Sequence, residues 1–149
     1  MKKLLPLLLS AALALHGAVA FAQTETPQID VEIREKMFLT QITELMVNMD
    51  DYLGKTVALE GMFTTIGDPS AGPVYRVVYR TSPGCCGNDG FTGLEVVWDD
   101  PATVYPAEND WVRAVGVLEQ YEEEGMPYLQ LRLISLDVLP ERGLEFVTQ

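Results

Sequence analysis

Apolar residues recur along this chain in two different periods. Phe38, Ile42, Leu45 and Met49 come at three- and four-residue spacing, with Met46 beside them and Glu44 and Asn48 on the other side. This period puts one apolar stripe along a helix and predicts an amphipathic helix over about Leu39 to Met49. Its methionines read as core packing. Past Gly54, a helix breaker, the period falls to two. Thr56 to Ile66 alternates Val57, Leu59 and Phe63 with Ala58, Glu60 and Met62, around a central Gly61. Val74 to Thr81 sets Val74, Arg76, Val78 and Arg80 on one face and Tyr75, Val77 and Tyr79 on the other. Gly93 to Asp99, Trp111 to Tyr121 and Met126 to Val138 read as three further strands. In the last, the apolar phase slips between Leu133 and Ile134, which predicts a bulge. Glycine, proline and acidic residues mark the connections, at Gly67 to Pro73, Ser82 to Thr92, Ala102 to Asp110 and Glu122 to Gly125.

One short N-terminal helix and five curled strands, two of them with a central glycine (Gly61 and Gly116), predict a mainly β fold. Five is the strand count of a small OB-like barrel, and an antiparallel sandwich usually needs about seven. The barrel domain is expected over residues 38–140, between a lead-in segment at 23–37 and a tail at 141–149. Residues 1–22 read as a signal peptide. Lys2 and Lys3 precede an apolar run from Leu4 to Leu15, and Ala20-Phe21-Ala22 is a small-x-small cleavage site. The run is too short to span a bilayer, so no membrane insertion is expected after cleavage, and the compartment is periplasmic or secreted.

Charge narrows the function. The chain carries 10 basic and 22 acidic residues, a net charge of −12, and losing Lys2 and Lys3 with the leader takes it to −14. Such a surface repels phosphate backbones, so nucleic acid is not an expected partner. The single histidine, His16, leaves with the leader. Without imidazole there is no Ser-His-Asp or Cys-His nucleophile and no histidine metal site. No catalytic residue is assigned, and the protein reads as a binding protein rather than an enzyme.

The only cysteines are adjacent, in Gly84-Cys85-Cys86-Gly87-Asn88-Asp89-Gly90. Neighbouring Cα atoms lie about 3.8 Å apart, below the roughly 4.4–6.8 Å of a relaxed disulfide. Three readings follow. Cys85 and Cys86 can turn toward one soft ion, Zn or Cu, with Asp89 as a third ligand. They can form a strained vicinal disulfide that opens and closes as a redox pair. Or they can simply pin a loop, with Asp89 a turn residue, in a structural interaction module. Arg80 and Trp98 are the candidate binding residues, for an anion and for stacking; the competing roles are charge balance and packing.

Several short motifs carry a resemblance. They are Tyr52-Leu53-Gly54-Lys55-Thr56-Val57, Glu60-Gly61-Met62-Phe63, Arg80 ahead of Cys85-Cys86-Gly87-Asn88-Asp89, and Asp110-Trp111-Val112-Arg113-Ala114-Val115-Gly116. In this order they resemble the YcgQ-type permease-associated family, whose soluble part is similar to a small β-barrel. The resemblance spans about Asp50 to Pro140. It departs in that those proteins carry membrane helices ahead of the soluble part. The arginine here also lies further from the cysteines, across Thr81-Ser82-Pro83-Gly84. The resemblance implies a role near metal or solute transport across an envelope, with a membrane permease or another envelope protein as partner. The expected function is therefore an exported binding or accessory protein with soft-metal chemistry at the cysteine loop.

Overall fold

The computed structural model describes residues 27–84 and 87–149. The expected signal peptide and both cysteines lie outside the described residues, as does the side chain of Asp89. No helix among the described residues is long and apolar enough to cross a membrane.

The molecule is mainly β, with one short helix, α1 (Phe38–Val47). Its strands are β1 (Val31–Ile33), β2 (Thr56–Ile66), β3 (Tyr75–Gly84), β4 (Gly87–Val97), β5 (Trp111–Glu123) and β6 (Met126–Val138). They form one sheet in the order β1-β2-β3-β4-β6-β5, and an added β2–β5 pairing bends it into a ring. All neighbours run antiparallel except β1–β2 and β4–β6.

Ring closure depends on β2 serving two partners in turn. Its first half, Thr56 to Met62, pairs with β5, and its second half, Met62 to Ile66, pairs with β3. Gly61 sits at the changeover. A Cβ there would lie 2.5 Å from the carbonyl oxygen of Tyr79, so only glycine lets the two backbones approach this closely. The predicted bulge is present: Val115 pairs with Ser135 and Gly116 with Leu133, leaving Ile134 as the extra residue. The β5–β6 turn has Glu124 and Gly125 at φ 51° and 79°.

The core fills with alternate positions of these strands, among them Val57, Leu59, Val78, Val96, Leu118 and Leu131. Helix α1 lays Phe38, Ile42 and Leu45 onto it, each almost fully buried. Burying each such side chain contributes about 1.5–3 kcal/mol. No side chain caps the helix N-terminus, but the Leu39 amide donates to the carbonyl of Gln149 at 2.8 Å. The chain's last residue thus satisfies one of the helix's orphan donors.

The segments on either side of the predicted barrel are built in more firmly than the pattern predicts. By leaving β3 at Gly61, β2 opens a gap, and two short segments fill it. One is β1, from the segment read as a lead-in, pairing Val31, Glu32 and Ile33 with Val57, Ala58 and Leu59. The other comes from the segment read as a tail. The Thr81 amide donates to Glu145 and the Val147 amide to Thr81, at 2.8 and 2.9 Å, and Val147 is 3% exposed. Neither segment is long enough to show a period of its own. The stretch expected as a loop, Ser82 to Thr92, is corrected as well: β3 and β4 run through it as a hairpin paired out to Gly84–Gly87. Proline and glycine suggested a break, but the exposed end of a two-stranded ribbon tolerates both.

Candidate functional site

Residues of β3 and β4 that face away from Val78 and Val96 floor a cleft of about 720 Å³. Tyr75 and Val77 come from β3, and Phe91, Gly93 and Glu95 from β4. Val77 pairs with Glu95 and Tyr79 with Gly93, so these side chains share one face. Met46 and Met49, at the end of α1 and just beyond it, form one wall. Tyr121, Glu123, Tyr128 and Leu129 of the β5–β6 hairpin form the other.

Gly93 lets β3 and β4 approach closely in the floor. A Cβ there would meet the Val78 carbonyl oxygen at 2.2 Å and the Tyr79 Cα at 2.7 Å. Beside it the rings of Tyr79 and Phe91 stack with centroids 4.2 Å apart. Tyr121 and Tyr128, paired across the β5–β6 ladder, stack at 5.6 Å. Several apolar groups remain in contact with water here, including Met46 at 47% and Phe91 at 48% exposure. The expectation that the methionines pack in the core is therefore corrected for Met46. The core stripe stops at Leu45, and Met46 lies on the flank that faces the cleft.

The cleft's polar groups come as two tyrosine–glutamate pairs. The Tyr75 hydroxyl donates to Glu123 Oε1 at 2.6 Å, and the Tyr121 hydroxyl to Glu95 Oε2 at 2.7 Å. The bond to Glu123, more than burial or the nearby carboxylate charges, pushes the Tyr75 phenol up to about 12. Burial first, then the bond to Glu95, raises Tyr121 as well. Burial also pushes the Glu95 carboxyl above its usual range, with the charge of Glu123 adding to the effect and the Tyr121 hydroxyl opposing it. No lysine or arginine is among the described residues that line the cleft.

Arg80 lies on the opposite face of the hairpin and is 1% exposed. Its Nε donates to the Glu60 carbonyl at 2.8 Å, and its Nη1 to the Leu144 carbonyl at 2.9 Å and to Glu35 Oε2 at 3.2 Å. The guanidinium lies over the rings of Trp111 and Phe38, 4.8 and 5.0 Å from their centroids. Glu35 also accepts the Leu144 amide at 2.8 Å. That bond, then Arg80, holds its carboxyl below the usual range. Arg80 therefore joins β2, β3 and both terminal segments, where the sequence suggested an anion site. Trp98, the second candidate binder, packs partly buried against the core, and its amide donates to neither cleft group but to the Tyr105 hydroxyl at 3.1 Å.

The cysteines fall in the two-residue connection between Gly84 and Gly87, outside the described residues. Among the described residues no group of three or more metal-ligating acids or thiols converges. The metal set read from the sequence, Cys85, Cys86 and Asp89, has its side chains outside the described residues. The hairpin that carries it does supply the cleft floor.

A family model matches residues 18–142. The chain belongs to the DUF1980 C-terminal domain family. The match covers the helix and every strand of the ring. The family is uncharacterised, and no curated protein matches the chain.

Sequence reading missed the cleft. The signals were present: Tyr75, Tyr79, Tyr121 and Tyr128 fall on strand positions facing away from the core, and Glu95 interrupts the apolar run Leu94, Val96, Val97. Their convergence depends on the β4–β6 and β5–β6 registers, which no local pattern specifies.

Proposed function

We propose that this protein is an exported, non-enzymatic binding or accessory protein that holds a small ligand in the cleft on the β3–β4 face. The observation that carries this reading is an open, aromatic-lined volume of about 720 Å³ with two half-embedded carboxylates. Ligand pockets typically occupy about 300–1,000 Å³ and pair apolar walls with a few placed polar groups. We further read the ring β2-β3-β4-β6-β5 as an OB-like barrel, with β1 an added edge. Its closure through β2–β5 and its parallel β4–β6 pairing support this. OB-folds bind ligands on the face of their second and third strands, between the loops after strands one and four. The equivalent position here is β3–β4 between the β2–β3 connection and the β5–β6 turn, where the cleft lies.

The test is titration with two polarity-sensitive dyes, one cationic and one uncharged. Micromolar binding of at least one to the wild type, weakened at least about 10-fold in Phe91→Ala/Tyr128→Ala, is the expected result, equivalent to a loss of about 1.4 kcal/mol. An absence of binding by both, or equal affinity in the two proteins, overturns the reading.

The cysteine pair supports a second reading. Gly84 and Gly87, which flank Cys85 and Cys86 in the sequence, pair with each other and are both exposed. We propose soft-metal binding, Zn or Cu, by Cys85, Cys86 and Asp89, with delivery to or from an envelope permease. A Zn²⁺ or Cu(I) titration that gives the same affinity for the wild type and Cys85→Ser/Cys86→Ser would end this proposal. Under a redox role, thiol alkylation instead finds a bridge that mild reductant opens.

A further inference from the structure

We propose that the cleft selects an organic cation with a flat or chain-like apolar body, such as an aryl- or alkylammonium compound. The inference rests on the cleft being a ligand site and names the chemistry that fits it.

Three features of the lining agree. Its only charged groups among the described residues are Glu95 and Glu123. Each already takes a tyrosine hydroxyl through one oxygen, but no cation balances either of them within the lining. A bound ammonium supplies that balance. A neutral ligand would shield the carboxylates from water and give nothing in return, and an anion would add a like charge.

The aromatic lining completes the fit. Tyr75, Phe91, Tyr121 and Tyr128 surround the carboxylates, and ring faces attract cations within about 6 Å of their centroids. The stacked pair Tyr121–Tyr128, and Phe91 backed by Tyr79, present apolar surface for the ligand's body. Met46 and Met49 on the facing wall are flexible and polarizable, suited to bodies of varied shape. The chain's net charge of −12 adds a field of the same sign, which concentrates cations at a low-dielectric recess.

The competing use of such a surface, simple packing within the fold, predicts different bonding. Elsewhere in this molecule several carboxylates near the sheet are met by arginine, Glu60 and Glu32 by Arg113 and Glu119 and Asp99 by Arg132, although Glu108 is met by Thr64 and Thr65. Glu95 and Glu123 are met by phenols, which donate a hydrogen bond and leave the negative charge in place.

The test uses three probes of one shape: (1-naphthylmethyl)trimethylammonium, its uncharged analogue with carbon in place of nitrogen, and naphthylacetate. Wild-type protein should bind the cation at least about 10-fold more tightly than the neutral analogue and bind the anion weakest. In Glu95→Gln/Glu123→Gln that preference should shrink to under about 3-fold, with affinity for the neutral analogue retained, which also shows that the double variant is folded. Equal binding of cation and neutral analogue by the wild type overturns the charge assignment while leaving a ligand cleft in place. Failure of all three probes to bind overturns both.

Discussion

Two charged side chains stand on opposite faces of the same β3–β4 hairpin, and the fold treats them in opposite ways. Arg80 is buried among aromatic rings and partnered through Nε and Nη1: two backbone carbonyls and Glu35 accept from it. Glu95 is half-buried, and its neighbours are a phenol that donates to it and a second carboxylate that raises its proton affinity. A buried charge that is partnered serves the fold. One that is left with its charge unbalanced costs stability and remains available to something else. The first pattern marks the seam between β2, β3 and the chain ends, and the second marks the cleft.

The largest expected effect tests the first half of this contrast. Arg80→Met fits an apolar chain between Phe38 and Trp111 but leaves the Glu60 and Leu144 carbonyls and the Glu35 carboxylate without their donor. Leaving the two backbone carbonyls without their donor costs about 1–3 kcal/mol each, and the part-exposed Glu35 adds little. The urea midpoint should fall accordingly, and Tm by on the order of 10 °C. A loss under about 1 kcal/mol would show that Arg80 is replaceable packing.

Glu35→Gln should do less, about 1 kcal/mol at neutral pH, because the side chain is 38% exposed and the amide oxygen still accepts from Leu144 and Arg80. Its pH dependence is the sharper readout. The folded protein holds the Glu35 carboxyl below its ordinary value, chiefly through the Leu144 amide. This stabilisation is present above the usual glutamate pKa of about 4.3 and disappears as pH falls through the lower folded value. Wild type and variant should therefore converge in strong acid. A constant gap across that window would place the effect in shape rather than charge.

Glu95→Gln should act in the reverse direction. A raised folded pKa means that the folded state holds the proton more tightly than the unfolded chain does. Stability linked to this proton is present below the ordinary carboxylate range and is lost as pH rises through the raised value, so at neutral pH the ionised carboxylate is a cost. The glutamine, still able to accept from Tyr121, should be slightly more stable than the wild type at pH 7 and no more stable below pH ~4. It should also bind the cationic probe more weakly. A residue that improves stability and impairs binding when neutralised is held for function. Destabilisation at pH 7 would assign Glu95 to the fold and remove the contrast with Arg80.

Much of the scaffold was legible because long elements carry their own period. The bounds of β2 and β6, the core stripe Phe38, Ile42, Leu45 and the bulge at Ile134 follow from residues within a few positions of each other. What escaped is assembled at a distance. β1 spans only 3 residues and exists because β2 leaves an edge uncovered. The alternation along β3 placed Arg80 on the face of Val78 but could not say that this face turns inward, so a buried seam looked like an anion site. The cleft joins Met46 to Tyr128 through three strand registers, and its carboxylates mean little until it is visible that no arginine is among the described residues lining it. The cysteine pair, the plainest chemical signal in the sequence, lies outside the described residues, and local pattern fixes neither its geometry nor its ligand.

The smallest expected effect examines the cleft from the tyrosine side. Tyr121→Phe keeps the stack on Tyr128 and removes only the hydroxyl that donates to Glu95. The loss of a net hydrogen bond costs about 0.5–1.5 kcal/mol, offset in part because less phenol is desolvated. The stability change should therefore be under about 1 kcal/mol. The informative measurement is the Glu95 titration, followed by carboxyl-carbon NMR. The Tyr121 hydroxyl opposes the upward push from burial and from Glu123, so its removal should raise the Glu95 pKa further. If the value falls or stays put, the phenol is not what keeps Glu95 ionised, and the cleft owes its charge to water instead. If it rises, the Tyr121 phenol helps Glu95 keep its charge beside an apolar recess, the condition a cationic ligand requires.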